Sequence, residues 1–401
     1  MTKQSQGSNQ NTIKQDNLAL VLNTIRLHGP ISRVQISEKV KLRTSTVTNL
    51  TRELLEVGLI EESGTTVSKA GRRRVFLRLV ADAYYVIGIE LSRNFVRCLL
   101  TDLGGNIIHQ NQRAIKPNRT VLIDSLWETV DECIHESHKR GKMVIGLGIG
   151  IPGPLDAASG VIKSPPNFAG LDEFPLKAIC EERYGIPTAI DDDARTAAMG
   201  EAWFGAGKNR TDLVYLSVGT GVGAGVIIGG RIYRGKHQLA GQIGHIAVDL
   251  KGERCACGNT GCLELYLSIP GLAKSIFGTI PTDTKAALMN LNKKDEHFDK
   301  AFAQALDYLE WAVASLINLY DPELLIIGGQ LIALWPELVT EVTERVSRRG
   351  FASQNCVEIC ASPLSDDASA LGGVALVLDK YFSDPISLLS LEDRKDVHSA
   401  Q

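Results

Sequence analysis

The sequence predicts an α/β protein with a small helical head in front of a larger body. Residues 1–80 hold 13 Lys and Arg against 6 Asp and Glu, whereas the remaining residues hold 30 against 40. Apolar residues in the head recur mainly at helical spacing, while strand-like and helix-like segments alternate after Asp82. Between Gly241 and Glu264, one His and three Cys lie close together. A basic head on an acidic body indicates that the head meets a polyanion.

Length and composition set limits on the class of protein. With 401 residues and 44% hydrophobic content, the chain is long enough for two or three compact units. It has no run of about 18 apolar residues, and residues 1–11 lack the apolar segment of a secretory signal. We therefore expect a cytoplasmic protein without membrane insertion, divided into a head (1–80) and a body (81–401).

Two short helices are predicted after a longer first one. The first is indicated by four apolar residues at helical spacing, Leu18, Val21, Leu22 and Ile25. Gly29-Pro30 ends it. Ser32 and Gln35 have the spacing of a capping box for a short helix that runs to about Val40. Thr44 is predicted to cap the next helix.

The third helix has two different faces. Apolar residues on one side, Val47, Leu50, Leu54 and Val57, are predicted to pack, while polar residues face the other way. Gly58 ends this helix, and two strands joined by an arginine-rich loop follow. This order is that of a winged helix-turn-helix, whose last helix enters the major groove of DNA. The residues predicted to contact DNA are Arg43, Ser45, Thr46, Thr48, Asn49, Arg52, Arg72, Arg73 and Arg74. The alternative is a small solvated helical domain.

The body opens with strand-like segments at 85–91 and 95–102, followed by a helical stretch at 121–139 and an apolar strand at 143–151. Further on, Asp191-Asp192-Asp193 ends a strand and a helix begins. A carboxylate at such a junction can face a cleft, where Asp193 is predicted to accept a proton from a hydroxyl group. Three adjacent acids also suit a solvated helix start, which is the alternative.

A glycine-rich turn follows the strand at 213–218. The residues after it are β-branched, which predicts a β-hairpin rather than the helix of a dinucleotide-binding motif. Backbone N–H groups of such a turn can bind phosphate, and the residues predicted to do so are Gly219, Thr220, Gly221 and Gly223. Tight packing of the hairpin is the alternative.

Four side chains form a candidate metal site: His245, Cys255, Cys257 and Cys262. Imidazole and thiolate are the usual ligands of structural Zn²⁺, and four of them leave no open coordination position for a catalytic water. The alternative is a buried core histidine with three buried thiols.

Together these segments resemble the ROK family, named for repressors, open reading frames and kinases that act on sugars. The resemblance runs from about Asn17 to Val377. It rests on the zinc signature from Gly244-His245 to Cys262-Leu263-Glu264 and on four further segments, 150–154, 166–168, 193–201 and 219–221. The head is similar to that of the repressor branch of the family.

The resemblance implies a two-lobed actin-like (ribonuclease H-like) ATPase or sugar kinase fold. The smaller lobe is expected at about 81–190 plus a C-terminal segment, and the larger lobe at about 191–375. The residues implied to contact the sugar are Asn167, Asp192, Asp193, Gln242, His245 and Glu264. His245 is implied to bind both zinc and sugar.

The chain departs from the kinase pattern in three places. The first phosphate loop, usually Asp-x-Gly-x-Thr/Lys, reads Glu90-Leu91-Ser92-Arg93-Asn94. Gln242 stands where the family usually has Glu, and Arg195 where Asn is common. We therefore expect neither ATP nor Mg²⁺ to bind and phosphoryl transfer to be lost, with Asp193 as a vestigial base.

The resulting hypothesis is a repressor of genes for sugar uptake or breakdown, controlled by a sugar or sugar phosphate in a zinc-supported cleft. A homodimer, or a tetramer, is expected to bind operator DNA. An ATP-dependent sugar kinase with an accessory DNA-binding head is the alternative. A third hypothesis replaces the small ligand with a protein partner, such as a component of a sugar transporter.

Overall fold

A computed structural model describes residues 10–67, 73–115, 118–163, 170–291, 296–348 and 357–389. The chain is a mixed α/β protein. Within these ranges, no helix has both the length and the apolar content needed to cross a bilayer. Two predicted site residues, Arg72 and Asn167, lie outside the described residues, as does the side chain of Arg73.

The head begins with three helices, α1 (Gln10–His28), α2 (Arg33–Val40) and α3 (Thr44–Glu56). The four apolar residues that predicted α1 are all buried. The capping box is also confirmed, because Ser32 and Gln35 bond reciprocally at the start of α2. The prediction that Thr44 caps α3 was wrong. Arg43 holds the cap position without a side-chain bond, and Thr44 is already helical.

A small sheet completes the head. It contains β1 (Ile31–Ser32), β2 (Ile60–Val67) and β3 (Arg73–Leu79), in the order β1-β3-β2. The two antiparallel strands of the wing, β2 and β3, were predicted, whereas the two-residue β1 was not. Helix α3 ends before Gly58, which has a φ of +66°. The head therefore has the three helices and the wing of a winged helix-turn-helix.

The first half of the body is built on a five-stranded sheet. Its strands are β4 (Tyr85–Leu91), β5 (Phe95–Asp102), β6 (Ile107–Ala114), β7 (Val144–Ile151) and β10 (Thr188–Asp192). The strand order is β10-β7-β4-β5-β6. Strands β4, β5 and β6 pair antiparallel, whereas β7 pairs parallel with β4, and β10 pairs parallel with β7. Helices α4 (Arg119–Lys139) and α5 (Leu176–Tyr184) and the short pair β8 (Leu155–Asp156) and β9 (Val161–Ile162) complete this half.

The second half repeats the same sheet order. Its strands are β11 (Leu213–Val218), β12 (Val222–Ile228), β13 (Arg231–Ile232), β14 (Leu324–Gly328) and β15 (Glu358–Ala361), arranged β13-β12-β11-β14-β15. Strands β11, β12 and β13 pair antiparallel, whereas β14 pairs parallel with β11, and β15 pairs parallel with β14. Two sheets with one topology are what the resemblance to actin-like kinases implied. The hairpin predicted from 213–228 is confirmed.

The helices of the second half lie between and around its strands. They are α7 (Glu264–Leu267), α8 (Ile269–Phe277), α9 (Thr284–Met289), α10 (Glu296–Tyr320), α11 (Gln330–Leu334) and α12 (Glu337–Val346). The amphipathic α10 buries its apolar side against the core of this half.

Two further helices each follow one sheet in sequence but pack mainly on the other sheet. Helix α6 (Asp193–Phe204) follows the last strand of the first sheet but packs on β11 and β12 of the second. Helix α13 (Ala368–Ser383) follows the last strand of the second sheet but packs on β4 and β7 of the first. The two helices pack against each other between the sheets. The short α14 (Pro385–Leu389) ends the described chain.

The head and the body share one hydrophobic core. Leu18, Leu22 and Ile25 of α1 belong to the same buried cluster as Leu378 and Phe382 of α13. Polar contacts add to this packing, since the amide of Asn23 donates to the carbonyl of Phe382 at 2.9 Å. The orientation of the head is therefore fixed by packing against the C-terminal helices.

Candidate functional site

A cleft of about 560 Å³ lies where the two halves of the body meet. Five of the six predicted sugar-contacting residues are described, and all five line it: Asp192, Asp193, Gln242, His245 and Glu264. They come from the start of α6, the loop after β13 and the start of α7. Segments up to 72 residues apart in sequence are thus brought together, as the resemblance implied.

Two acids stand at the base of the cleft. The backbone N–H of Ala194 donates to Asp193 Oδ1 at 2.8 Å and to Asp192 Oδ1 at 3.2 Å, so both carboxylates sit at the N-terminus of α6. Burial and, next, the charge of Asp192 raise the pKa of Asp193 to about 7. A carboxylate with this pKa can accept a proton near neutral pH.

The neighbouring polar residues are held by hydrogen bonds. Gln242 Nε2 donates to Asp192 Oδ2 at 3.4 Å, so the residue that replaces the usual Glu contacts an acid of the cleft. Glu264 Oε2 accepts from the backbone N–H of Val222 at 3.0 Å, which fixes the carboxylate against the glycine hairpin. The predicted phosphate-binding residues of this hairpin, Gly219, Thr220, Gly221 and Gly223, line the same cleft.

The cleft is also lined by Glu90, near the end of β4 in the same sheet as Asp192, and by Arg93 just after this strand. Glu90 Oε2 and Arg93 Nε are buried atoms without a hydrogen-bond partner among the described residues. Burial raises the pKa of Glu90 to about 8, although the charge of Arg97 acts in the opposite direction. A carboxyl group that is neutral at pH 7 is a poor ligand for Mg²⁺, which prefers charged oxygen.

Arg195, a predicted departure from the family pattern, does not line the cleft. Its side chain is 1% exposed and its Nε donates to Asp191 Oδ1 at 2.6 Å. It lies beneath the cleft, where its guanidinium also donates to the backbone carbonyls of Gln238 and Ala240.

The four predicted metal ligands converge. The ligand atoms of His245, Cys255, Cys257 and Cys262 all lie within 4.8 Å of one another. The sulfurs of Cys257 and Cys262 are 3.7 Å apart, and Cys255 Sγ is 3.7 Å from His245 Nδ1. Tetrahedral Zn²⁺ with Zn–S bonds of 2.3 Å requires sulfurs about 3.8 Å apart. The donor set and spacing thus fit one tetrahedral ion, and His245 joins this cluster to the cleft.

The predicted DNA-binding face is exposed on α3. Ser45, Asn49 and Arg52 are all exposed and stand four and three residues apart, so they lie on one side of the helix. Arg43 and Arg74 are also exposed, whereas Thr46 and Thr48 are partly buried. Thr48 Oγ1 already donates to the carbonyl of Thr44 at 2.8 Å. The face therefore offers Asn and Arg side chains to a partner, with less from Thr48.

Some cleft residues escaped the sequence analysis. Asp366 and Ser369 line the cleft, as does Lys285. Arg97 Nη1 pairs with Asp367 Oδ1 at 3.1 Å and with the carbonyl of Asp366. None of these residues belongs to a motif. Ser369 reaches the cleft because α13 returns to the first sheet, whereas Lys285 is on α9.

Comparisons with known proteins match both the head and the body. The chain is 33% identical over 395 residues to the xylose repressor of Caldicellulosiruptor bescii, covering 94% of this chain and 99% of the relative. It is 31% identical over 392 residues to the DNA-binding transcriptional dual regulator NagC of Escherichia coli, covering 93% and 95%.

Among solved structures, a ROK family transcriptional regulator that is a homologue of the Escherichia coli MLC protein matches 95% of this chain and 99% of its own, with a TM-score of 0.78 and 25% identity. A ROK family glucokinase from Streptomyces griseus, in complex with glucose and AMPPNP, matches 73% of this chain and 98% of its own, with a TM-score of 0.64 and 27% identity. The family model described as the ROK family matches residues 86–380. The chain therefore belongs to the ROK family.

Proposed function

We propose that this chain is a DNA-binding transcriptional repressor of sugar-related genes, and that a sugar or sugar phosphate in the cleft controls its affinity for operator DNA. The observation that carries this proposal is the shared core that joins the head, with its exposed helix face, to the body that contains the cleft. Relatives that span the head as well are named as a xylose repressor and as NagC. Since these names differ, the sugar stays open.

The proposed ligand contacts follow the cleft. Asp192, Asp193, Gln242, His245 and Glu264 line it, and Asn167 is proposed from the family motif. Carboxylate, amide and imidazole groups can each accept or donate hydrogen bonds to sugar hydroxyls. Bound sugar acts on DNA affinity only if it prefers one arrangement of the protein over another.

A structural Zn²⁺ is proposed at His245, Cys255, Cys257 and Cys262. It fits the spacing of the donor atoms and leaves no coordination position for water. Its contribution is to hold the loop that carries Gln242 and His245, so that the imidazole keeps its orientation toward the cleft.

The DNA-binding surface is proposed to be the exposed side of α3, with Arg43, Ser45, Thr46, Thr48, Asn49 and Arg52, and the wing with Arg72, Arg73 and Arg74. Asn and Arg can read base edges in the major groove, and arginines of a wing suit phosphates. A cytoplasmic homodimer, or a tetramer, is proposed to place two heads about 34 Å apart on a pseudo-palindromic operator. A sugar-transporter component as a protein effector is the alternative to a small ligand.

A sugar kinase is the second candidate function, and one observation favours it. The pKa of Asp193 is raised to about 7 by burial and by Asp192, which suits a general base. Against it stand Glu90, whose pKa is raised to about 8, and Ser92, which line the cleft where the family's first phosphate loop has Asp and Gly, with Arg93 beside them. We therefore propose that phosphoryl transfer is lost and that Asp193 contacts the sugar only.

The test combines ligand binding with DNA binding. A thermal-shift panel of sugars and their phosphates, including D-xylose and N-acetyl-D-glucosamine, identifies a ligand because binding stabilises the folded state by mass action. DNA selected from a random pool by the full chain then serves as the operator. We expect the active sugar to change the Kd for this DNA at least fivefold. DNA binding that no sugar alters leaves a regulator without a sugar sensor.

A coupled ADP-release assay separates the two candidates. We expect no sugar-dependent ADP release above the rate without protein. Release that requires sugar and disappears in Asp193→Asn establishes the kinase instead.

A further inference from the structure

The side chain of Arg26 lies between the head and the body. Its Cζ is 3.9 Å from the centroid of the Trp203 ring and 5.7 Å from that of Phe382. The two rings meet edge to face, with centroids 5.7 Å apart. Burial lowers the pKa of Arg26 to about 10, partly offset by the charge of Asp379, so the guanidinium stays charged at neutral pH. A cation held over the face of Trp is a specific attraction that depends on geometry.

The two rings belong to the two helices that start in the cleft. Trp203 is in the last turn of α6, whose first residue, Asp193, lines the cleft. Phe382 is near the end of α13, whose second residue, Ser369, lines it as well. At 1.5 Å per residue, these ends lie about 15 Å and 20 Å from the cleft along their helices. Arg26 thus contacts the far ends of both cleft helices.

The two helices pack with almost no space between their backbones. A Cβ at Gly372 would lie 1.7 Å from the carbonyl oxygen of Thr196, and one at Gly200 would lie 2.4 Å from that of Ala368. At the cleft end, Thr196 Oγ1 and Ser369 Oγ are hydrogen-bonded at 2.9 Å. Closely packed helices of this kind slide past each other as rigid units rather than deform.

The two helices also differ in the sheet on which they mainly pack, since most strand contacts of α6 are to the second sheet and most of those of α13 are to the first. A change in the angle between the sheets therefore moves one helix relative to the other. The rings of Trp203 and Phe382, one on each helix, move with them. The bonds from Gln15 to Asp384 at 2.5 Å and from Asn23 to the Phe382 carbonyl follow only the C-terminal end. Arg26 touches a ring on each helix and is sensitive to both.

We propose that Arg26 is a positioning residue that passes the state of the cleft to the DNA-binding head. A ligand that changes the angle between the sheets displaces Trp203 relative to Phe382, and Arg26 turns this displacement into a new orientation of α1. This inference rests on the proposed function for its biological meaning, but the coupling itself is a property of the chain.

The first test measures coupling as the ratio of the Kd for selected DNA with and without D-xylose, or with N-acetyl-D-glucosamine if D-xylose gives no thermal shift. In the wild type, we expect a ratio of about tenfold. Arg26→Met keeps the length of the side chain but removes the cation, and we expect its ratio to fall below about twofold while the thermal shift by the sugar is retained. Arg26→Lys, which keeps a cation, is expected to recover part of the ratio.

Arg78→Met is the matched control, because Arg78 Nε pairs with Glu61 at 2.6 Å inside the head, away from the aromatic pair. Its ratio is expected to equal that of the wild type. A lower melting temperature of Arg26→Met with an unchanged ratio would show a purely structural role and overturn the proposal.

The second test needs no sugar, so it separates failure of the proposal from failure of the proposed function. Amide hydrogen exchange is measured on the full chain. Arg26 contacts a ring on each helix, so if it couples the head to the cleft, Arg26→Met is expected to speed exchange at the cleft ends of α6 (193–197) and α13 (368–372). Arg78→Met is not expected to do so. Faster exchange confined to α1 and Trp203 overturns the proposal, whatever the sugars do.

Discussion

Arg195 and Asp191 form an ion pair that solvent does not reach. Arg195 Nε lies 2.6 Å from Asp191 Oδ1, and the two side chains are 1% and 0% exposed. Asp191 Oδ2 accepts a second guanidinium, with Arg234 Nε at 2.7 Å. Arg195 Nη1 donates to the carbonyls of Gln238 and Ala240, at 3.1 Å and 3.4 Å. The pair therefore ties the start of α6 to the loop that leads into Gln242.

Replacing Arg195 with Met is expected to destabilise the protein by about 3 kcal/mol, because Asp191 is left buried with Arg234 as its remaining cationic partner. The carbonyls of Gln238 and Ala240 also lose a donor. We expect a weaker thermal shift by D-xylose or whichever sugar binds the wild type. Urea unfolding and the thermal-shift panel measure the two effects.

The control for this variant is Arg348→Met. Arg348 and Glu344 have the same i,i+4 spacing as the buried pair, but their side chains are 80% and 66% exposed. An exposed pair of this kind contributes about 0.3–0.5 kcal/mol. Equal losses in the two variants would contradict the role that we assign to burial.

The contacts of Arg195 show which features of the structure could not be predicted from the sequence. The sequence shows Arg195 only as a departure from the Asn that is common in the family. Besides Asp191, four residues earlier, its partners are the backbone carbonyls of Gln238 and Ala240, more than 40 residues away, and no side-chain pattern predicts those two. The capping box and the glycine hairpin were predictable because they depend on residues a few positions apart. Contacts that depend on the path of the chain were not.

Zinc content is expected to be one ion per chain in the wild type and to be lost in Cys257→Ser, because three remaining ligands do not close a tetrahedral site. Cys257 is exposed, so its substitution does not disturb the core. The melting temperature is expected to fall as well, since zinc that binds only the folded state stabilises it. Elemental analysis and thermal melting measure both.

Cys360→Ser is the control for the zinc variant. Cys360 lies in β15 with a partly buried thiol and does not belong to the cluster. It is expected to keep the zinc. Zinc retained at full content in Cys257→Ser would exclude the proposed ligand set.

Arg52→Gln is expected to weaken DNA binding, because Arg52 lies on the exposed side of α3 next to Asn49. If Arg52 contacts a phosphate, the slope of log K against log salt is expected to become less steep by about 0.9. If it reads a base, affinity is expected to fall by about 1–3 kcal/mol for the selected DNA but little for random DNA. Titrations at several salt concentrations distinguish these outcomes.

Arg113→Gln on the body serves as the control, since Arg113 pairs with Glu128 at 3.2 Å on the surface. Identical losses in both variants would indicate a general charge effect rather than a DNA-binding face on α3.

The head, with the polar side of α3, also shows which features can be predicted from the sequence and which cannot. The polar side of α3 was found from helical periodicity alone, and Ser45, Asn49 and Arg52 are exposed as expected. Thr44 was misassigned because a capping residue is defined by backbone dihedral angles, and Arg43 adopts the extended conformation instead. Strand β1 was missed because two residues carry no periodicity.

Glu90 is expected to make stability fall as the pH rises. Burial raises its pKa from 4.5 to about 8, so between these values the folded chain keeps a proton that the unfolded chain has released. Folding then binds a proton, and stability decreases by up to about 1.4 kcal/mol per pH unit until the folded state also ionises near pH 8. Glu90→Gln has no proton to release, and its stability relative to the wild type is expected to increase from pH 5 to pH 8 and to level off above. Urea midpoints across this range test the slope, with Glu128→Gln as an exposed control. A constant difference between wild type and Glu90→Gln would mean that Glu90 is ionised in the folded state, and it would then be available to a cation in the cleft.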